Sequence, residues 1–217
     1  ADGRSDLARR SLMVAGQHHG LQAALLQAMH RPALDIYSSE MVELTESLLR
    51  DLSNLFATAG KSYIYISNGH GAWEATLSNV LSRGDKVLTS RFGQFSHLWI
   101  DMAQRLGLEV IVQDEEWGTG ANPERIGEAL RADKNHEIKA VMVVHNETAT
   151  GVTSDVGAVR KAIDAAGHPV LLMVDGVASV GCMPFEMDAW GVDVAMSASQ
   201  KGLMGSPGLA FVERVIA

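Results

Sequence analysis

One lysine, Lys201, follows an apolar run and sits in Ser197-Ala198-Ser199-Gln200-Lys201-Gly202. A lone lysine beyond a strand is ordinarily surface, but here hydroxyls and an amide precede it and glycine follows. A lysine held in a poorly solvated site has a lowered pKa, and its free amine attacks carbonyls. Asp175 directly follows Val170-Leu171-Leu172-Met173-Val174. An acid at the exit of an apolar strand is costly to bury without a cationic partner. It serves either as a turn or N-cap aspartate, or as a carboxylate facing a bound cation or protonated heterocycle. A third candidate is Ser67-Asn68-Gly69-His70-Gly71, which leads into a helix. Glycines let backbone N–H groups approach an anion, and the helix N-terminus adds partial positive charge, so a phosphate fits there. A plain strand-to-helix turn satisfies the same letters. The run His145-Asn146-Glu147-Thr148-Ala149-Thr150-Gly151 is densely polar. Neither His145 with Glu147 nor the His18-His19 pair has a second His/Cys pair at ligand spacing. The run reads as a hydrogen-bonding loop, and no metal is expected.

The elements that must position these residues alternate regularly from residue 63 onward. Tyr63–Ser67 is aromatic and β-branched and reads as a buried strand. Ala72, Trp73, Thr76, Leu77, Val80 and Leu81 then share one helical face, with Gly84 as the expected C-cap. Strand Lys86–Ser90 precedes a helix carrying Phe95, Leu98, Trp99, Met102, Ala103 and Leu106, closed by Gly107. Strand Glu109–Gln113 follows, and Asn122-Pro123 opens another helix as N-cap and first helical residue. Ala140–Val144 is a strand, Ser154 is expected to cap a helix to about Ala166, and Val170–Val174 has no polar side. Val192–Ser197 and Leu209–Val212 complete seven strands. The pattern is α/β: a three-layer αβα domain around a mostly parallel seven-stranded sheet. Residues 1–58 are read as a helical segment, with Met41, Leu44, Thr45, Leu48, Leu49 and Leu52 on one amphipathic face. Residues 59–217 form the α/β domain. Such sheets bind ligands at the carboxyl ends of their strands, where all four candidate segments stand.

Composition narrows the classes. At 217 residues the chain suits one large domain or a domain and a half, able to bury roughly 70% of its unfolded surface. Its net charge of −8, without a Lys/Arg run, argues against nucleic acid as partner. A single cysteine, Cys182, excludes a disulfide framework and is read as structural packing. No apolar stretch approaches the roughly 20 residues of a membrane helix. The N-terminus lacks the apolar core of a signal peptide, which makes the cytoplasm the expected location.

A phosphate cradle, an acid at one strand end and a lysine at the next are together the three handles of pyridoxal 5′-phosphate. A nicotinamide dinucleotide fits poorly. The third glycine of its fingerprint is absent, and Ser90-Arg91-Phe92-Gly93 stands where a ribose-binding acid belongs.

Five blocks carry a family resemblance: SRFGQFSHLWIDMAQRLGLEV, DEEWGTG, KNHEIKAVMVVHNETATGVTSDV, HPVLLMVDGVASVG and WGVDVAMSASQKGLM. In these the chain resembles the class V, fold-type-I aminotransferases that depend on pyridoxal phosphate, in particular the serine–glyoxylate and alanine–glyoxylate group. The resemblance implies the cofactor-binding large domain of that fold. It implies Lys201 as the Schiff-base lysine and proton carrier, Asp175 as partner of the pyridinium nitrogen, and Val177 packing on the ring. Phe95 would stack on the cofactor, Thr148 would reach its phenolic oxygen, and Asn68, Gly69, His70 and Gln200 would hold the phosphate. The implied reaction is a ping-pong transfer of an amino group from serine to glyoxylate, with alanine or aspartate as alternative donors, in a homodimer. Members of the family continue into a C-terminal domain with an arginine that grips the substrate carboxylate. The expectation is therefore a chain that stops at a domain boundary, either an aminotransferase large domain or a non-catalytic cofactor-binding remnant or assembly half. Lyase activities such as cysteine desulfuration share the fold.

Overall fold

A computed structural model describes residues 27–215. The His18-His19 pair and the first part of the 1–58 segment lie outside the described residues. Helix α1 (Ser39–Phe56) is capped by the Ser38 side chain, which accepts from the Met41 N–H. Strand β1 (Lys61–Ser67) leads into α2 (Gly69–Val80), and β2 (Lys86–Arg91) into α3 (Gln94–Arg105). Then come β3 (Glu109–Asp114), α4 (Pro123–Ala132) and β4 (Ile138–Val144). A two-stranded ribbon, β5 (Asn146–Glu147) with β6 (Val152–Thr153), precedes α5 (Val156–Ala166) and β7 (Leu171–Asp175). Strands β8 (Val194–Ala198) and β9 (Gly208–Arg214) close the order.

Seven strands form one sheet in the order β1-β9-β8-β7-β4-β2-β3. All neighbours are parallel except β9, which runs against both β1 and β8. Six strands therefore point the same way, and the residues after β1, β2, β4, β7 and β8 emerge at one edge. Side chains alternate across a sheet. Glu213 of β9 hydrogen-bonds Ser62, whose hydroxyl also reaches the Leu49 carbonyl of α1. The next residue, Val212, pairs with Met196, whose sulfur meets Thr76 of α2. Thus α1 and α2 cover opposite faces. Helix α3 packs beside α2, and right-handed crossovers put α4 and α5 on the other side, giving three layers.

The core follows from composition. Strands β7 and β8 are buried almost throughout, as their unbroken apolar runs require. Helix α2 buries Ala72, Trp73, Thr76 and Leu77, and α5 buries Val156, Val159 and Ile163. The α1 face is buried only near its end, at Leu52 and Phe56, while Thr45 and Leu48 are exposed.

Four expectations need correction. Strand β1 is an edge strand, not a buried one: it pairs only with β9, and Ile66 is 96% exposed. Helix α5 is capped by Asp155, whose Oδ1 accepts from Ala158 N–H at 2.8 Å. Ser154 is occupied elsewhere, its hydroxyl accepting from the Ala121 N–H. Helix α2 ends at Val80 with Leu81 as C-cap, and Gly84 instead takes a left-handed φ of 88° in the turn into β2. Cys182 is exposed rather than packed.

Candidate active site

The carboxyl edge of the sheet carries a cavity of about 220 Å³, room for one small ligand. All nine expected site residues line it: Asn68, Gly69, His70, Phe95, Thr148, Asp175, Val177, Gln200 and Lys201. They come from the ends of five elements. Asn68 to His70 open α2, Phe95 lies in the first turn of α3, and Thr148 sits in the turn between β5 and β6. Asp175 ends β7, Val177 follows it, and Gln200 with Lys201 follow β8.

The α2 end is built for close approach. Asn68 caps it, its Oδ1 accepting from His70 and Gly71 N–H groups, so the Gly69 N–H is not consumed by the cap. A Cβ on Gly69 would stand 2.9 Å from Val177 Cγ2, and glycine is what lets the helix terminus close on that side chain. On the opposite wall the turn 199–208 is laced internally. Ser199 Oγ donates to the Ser206 carbonyl at 2.6 Å, and the Gly205 N–H donates to the Ser199 carbonyl at 2.8 Å. Gly202 lies against Gly181: a Cβ there would be 2.3 Å from the Val180 carbonyl oxygen. This contact locks the turn bearing Lys201 onto the turn that follows Asp175.

Asp175 is only 4% exposed. Burial pushes its pKa up to about 6, opposed by the Val177 N–H that donates to Oδ1 at 2.8 Å. The Trp73 indole and the Lys201 charge also pull it down, and the Glu147 charge pushes it up. The Trp73 Nε1–H is turned toward Asp175 without completing a full hydrogen bond to any group. Gln200 Oε1 is likewise buried and unpartnered. Two orphaned polar atoms beside an acid and an amine, in a cleft with Phe95 and Val177 side chains, suit a ring with polar substituents. Those features fit pyridoxal phosphate: Asp175 for a protonated ring nitrogen, Lys201 for its carbonyl carbon, the α2 terminus and Gln200 for phosphate.

Sequence reasoning missed three lining residues, Trp73, Asn146 and Ala178. Trp73 reads as a core residue by helical spacing, and it is one. It stacks on Trp99 at 5.8 Å and meets Phe95 edge-on at 6.4 Å, yet one edge reaches the cavity. Asn146 had a signal, since it stands between two residues already singled out. Among the described residues no group of three His, Cys, Asp or Glu could hold a metal, and no helix is long and apolar enough to cross a membrane. His145 is buried, its Nδ1 2.8 Å from Ser179 Oγ, and burial lowers its pKa.

Comparison with known proteins points the same way. The family model described as aminotransferase class-V matches residues 18–213. Serine–glyoxylate aminotransferase of Methylorubrum extorquens is 60% identical over 205 residues, covering 94% of this chain and 51% of that protein. L-aspartate–glyoxylate aminotransferase of Paracoccus denitrificans is 49% identical over 187 residues, covering 86% of this chain and 47% of that one. Among solved structures, alanine–glyoxylate aminotransferase from Nostoc superposes with a TM-score of 0.82 at 32% identity, covering 90% of this chain and 51% of that chain. The chain spans about half the length of the curated relatives it matches.

Proposed function

The chain belongs to the class-V aminotransferases, enzymes of pyridoxal 5′-phosphate, and from that premise we propose that its cavity is the cofactor cleft of a glyoxylate aminotransferase using serine as donor. The observation that carries this reading is the placement of Asp175 and Lys201 at adjacent strand ends, facing one cavity closed by the start of α2. The donor is supported by the serine–glyoxylate relatives at 60% and 56% identity. Alanine and aspartate are the competing donors. The reading carries a homodimer with it, supported by apolar Ile66, Tyr63 and Leu209 exposed along the β1–β9 edge.

When bound, the cofactor supplies an electron sink that stabilises a carbanion at the substrate α-carbon. The residues of this chain do the rest. Asp175, buried and ionised above about pH 6, holds a proton on the ring nitrogen by charge pairing. Lys201 Nζ would hold the cofactor through its carbonyl carbon and, as a free amine, would lift the substrate α-proton and carry it. Phe95 and Val177 offer apolar faces to a flat ring, and the Thr148 hydroxyl a hydrogen bond to an oxygen at its rim. Gly69 N–H, His70 and Gln200 meet the phosphate, and the α2 dipole favours its charge.

Loading with pyridoxal phosphate, borohydride reduction and peptide mapping should label Lys201, and Lys201→Ala should take up no reducible label. Uptake without label at Lys201 would overturn the site. With glyoxylate as acceptor, serine should turn over faster than alanine or aspartate. Reversal of that order would reassign the donor.

A further inference from the structure

Glu147 is fully buried, and no cation pairs with it among the described residues. Its charge is met by backbone N–H groups. Oε2 accepts from Phe95 and Ser96, each at 3.0 Å, while Oε1 accepts from Phe95 at 3.2 Å and from Ala149 at 3.1 Å. Both oxygens act only as acceptors, as an ionised carboxylate does. Two of these donors are in the first turn of α3. That helix starts after Gly93, which has no side chain to offer as a cap. Glu147 thus caps α3 from 52 residues away, its negative charge at the positive end of the helix.

The same carboxylate ties together two segments that line the cavity side by side, since its Oε1 accepts from both Phe95 and Ala149. Phe95 is bound by its own N–H. Thr148 lies between Glu147 and Ala149, both fixed, and the Gly151 N–H closes the turn onto the Glu147 carbonyl at 2.8 Å. Gly93 makes this arrangement possible. Its φ of 177° is extended backbone open to any residue, so conformation does not call for glycine there. Space does: a Cβ would lie 2.2 Å from Glu147 Cγ and 2.4 Å from Cδ.

We propose that Glu147 and Gly93 form a positioning pair for the cofactor site, the buried carboxylate capping α3 from the β5–β6 turn and fixing Phe95 beside Thr148, with Gly93 leaving it room. This rests on the reading of the cavity as a cofactor cleft. Neither residue touches the cavity itself, so both act through others. Glu147 has a second, electrostatic effect. Asp175 is faced by Lys201 from the turn after β8, by the Trp73 indole and His70 from α2, and by Glu147 from β5. Of these Glu147 is the one negative charge, and it opposes ionisation of Asp175.

The test compares wild type, Gly93→Ala, Glu147→Ala, Glu147→Gln and the Gly93→Ala/Glu147→Ala double variant. Denaturant unfolding of the empty proteins and titration with pyridoxal phosphate, followed by visible absorbance, are the two measurements. Glu147→Gln and Gly93→Ala should each weaken cofactor binding about tenfold or more. The double variant should be no less stable than Glu147→Ala alone, because the clash disappears with the carboxylate. Glu147→Gln keeps the volume and carries the binding comparison if Glu147→Ala does not fold. Tryptophan fluorescence of the empty protein, sensitive to Asp175 through Trp73, should titrate at lower pH in Glu147→Gln than in wild type. A merely structural cap would not move that midpoint in a set direction. Additive losses in stability, or wild-type cofactor affinity in Glu147→Gln, would overturn the proposal. A non-additive cycle in a wild type that binds no cofactor would keep the pair as a structural unit and overturn its assignment to the cofactor.

Discussion

Asp175 has opposite effects on folding and on function. Its folded pKa, raised to about 6 chiefly by burial, lies above the ordinary carboxylate value of 3.8. The unfolded chain therefore releases this proton first, and the empty protein loses stability as pH rises from about 4 to about 6. The loss is complete above pH 6 and amounts to at most about 3 kcal/mol. Asp175→Asn should accordingly make the empty protein more stable at pH 7.5 by up to that amount, measured by denaturant unfolding. The same variant should lower transamination at least about a hundredfold, because an amide cannot hold a proton on the ring nitrogen. A variant that lost both stability and activity would contradict this account of the site. A strained or desolvated group kept at a cost to stability is what a functional position looks like physically.

At the level of elements, the site depends on turns that touch backbone to backbone. The loop after β7 and the loop after β8 meet at Gly181 and Gly202, where a Cβ on Gly202 would stand 2.3 Å from the Val180 carbonyl oxygen and one on Gly181 only 3.0 Å from Gly202. Gly181 also has a left-handed φ of 80°. Gly202→Val should push these turns apart, costing about 1–3 kcal/mol in unfolding free energy by overpacking and weakening cofactor uptake through displaced Lys201. The control is Gly84→Val, at a left-handed glycine like Gly181 but in open space and outside the cavity lining. It should lower stability and leave uptake unchanged. How much of this was legible beforehand varies by element. Lys201 and Asp175 stand out because charge at the end of an apolar strand is unusual. Trp73 does not, since a helix face that is both core and cavity wall has one spacing. Ser154 and Asp155 are both good caps, and only the position of Ala121, distant in sequence, assigns the serine elsewhere. No residue type marks β1 as an edge strand or β9 as reversed. Those facts come from which strands lie beside them.

On the scale of the whole molecule, one buried acid joins three elements. Glu213 of β9 sits opposite Ser62 of β1 at 2.9 Å, and Ser62 lies 2.9 Å from the Leu49 carbonyl of α1. The Ser62 hydroxyl has a third neighbour, the Ser53 hydroxyl at 2.7 Å, so the cluster also draws on the end of α1. Ser62 donates to the Glu213 carboxyl at 2.9 Å. Burial pushes the Glu213 pKa up to about 7, against the Ser62 hydroxyl that lowers it. Raised above its ordinary 4.5, it stabilises the fold fully below about pH 4.5 and progressively less up to about pH 7. Asp175 adds the same slope in the empty protein. Exposed Asp114, held low by its hydrogen bond from Arg91, adds an opposite slope only below about 4; buried His145, held below its ordinary 6.5, opposes the trend as pH falls through that value, one imidazole against two raised carboxyls. Thermal unfolding of the empty protein should therefore occur at higher temperature at pH 5 than at pH 7.5. Glu213→Gln should flatten that difference, and a steeper one would refute the assignment.

The reversed strand has a kinetic meaning. Strand β1 touches the rest of the sheet only through β9, and paired residues such as Ser62 and Glu213 are 151 positions apart. During synthesis, β1 and the helix terminus at Asn68 have no sheet edge to join until β9 has left the ribosome. Contacts of that separation form late and slowly. The α2 wall of the cavity is thus the last one raised, and the nascent chain completes the cavity only at the end of the sheet.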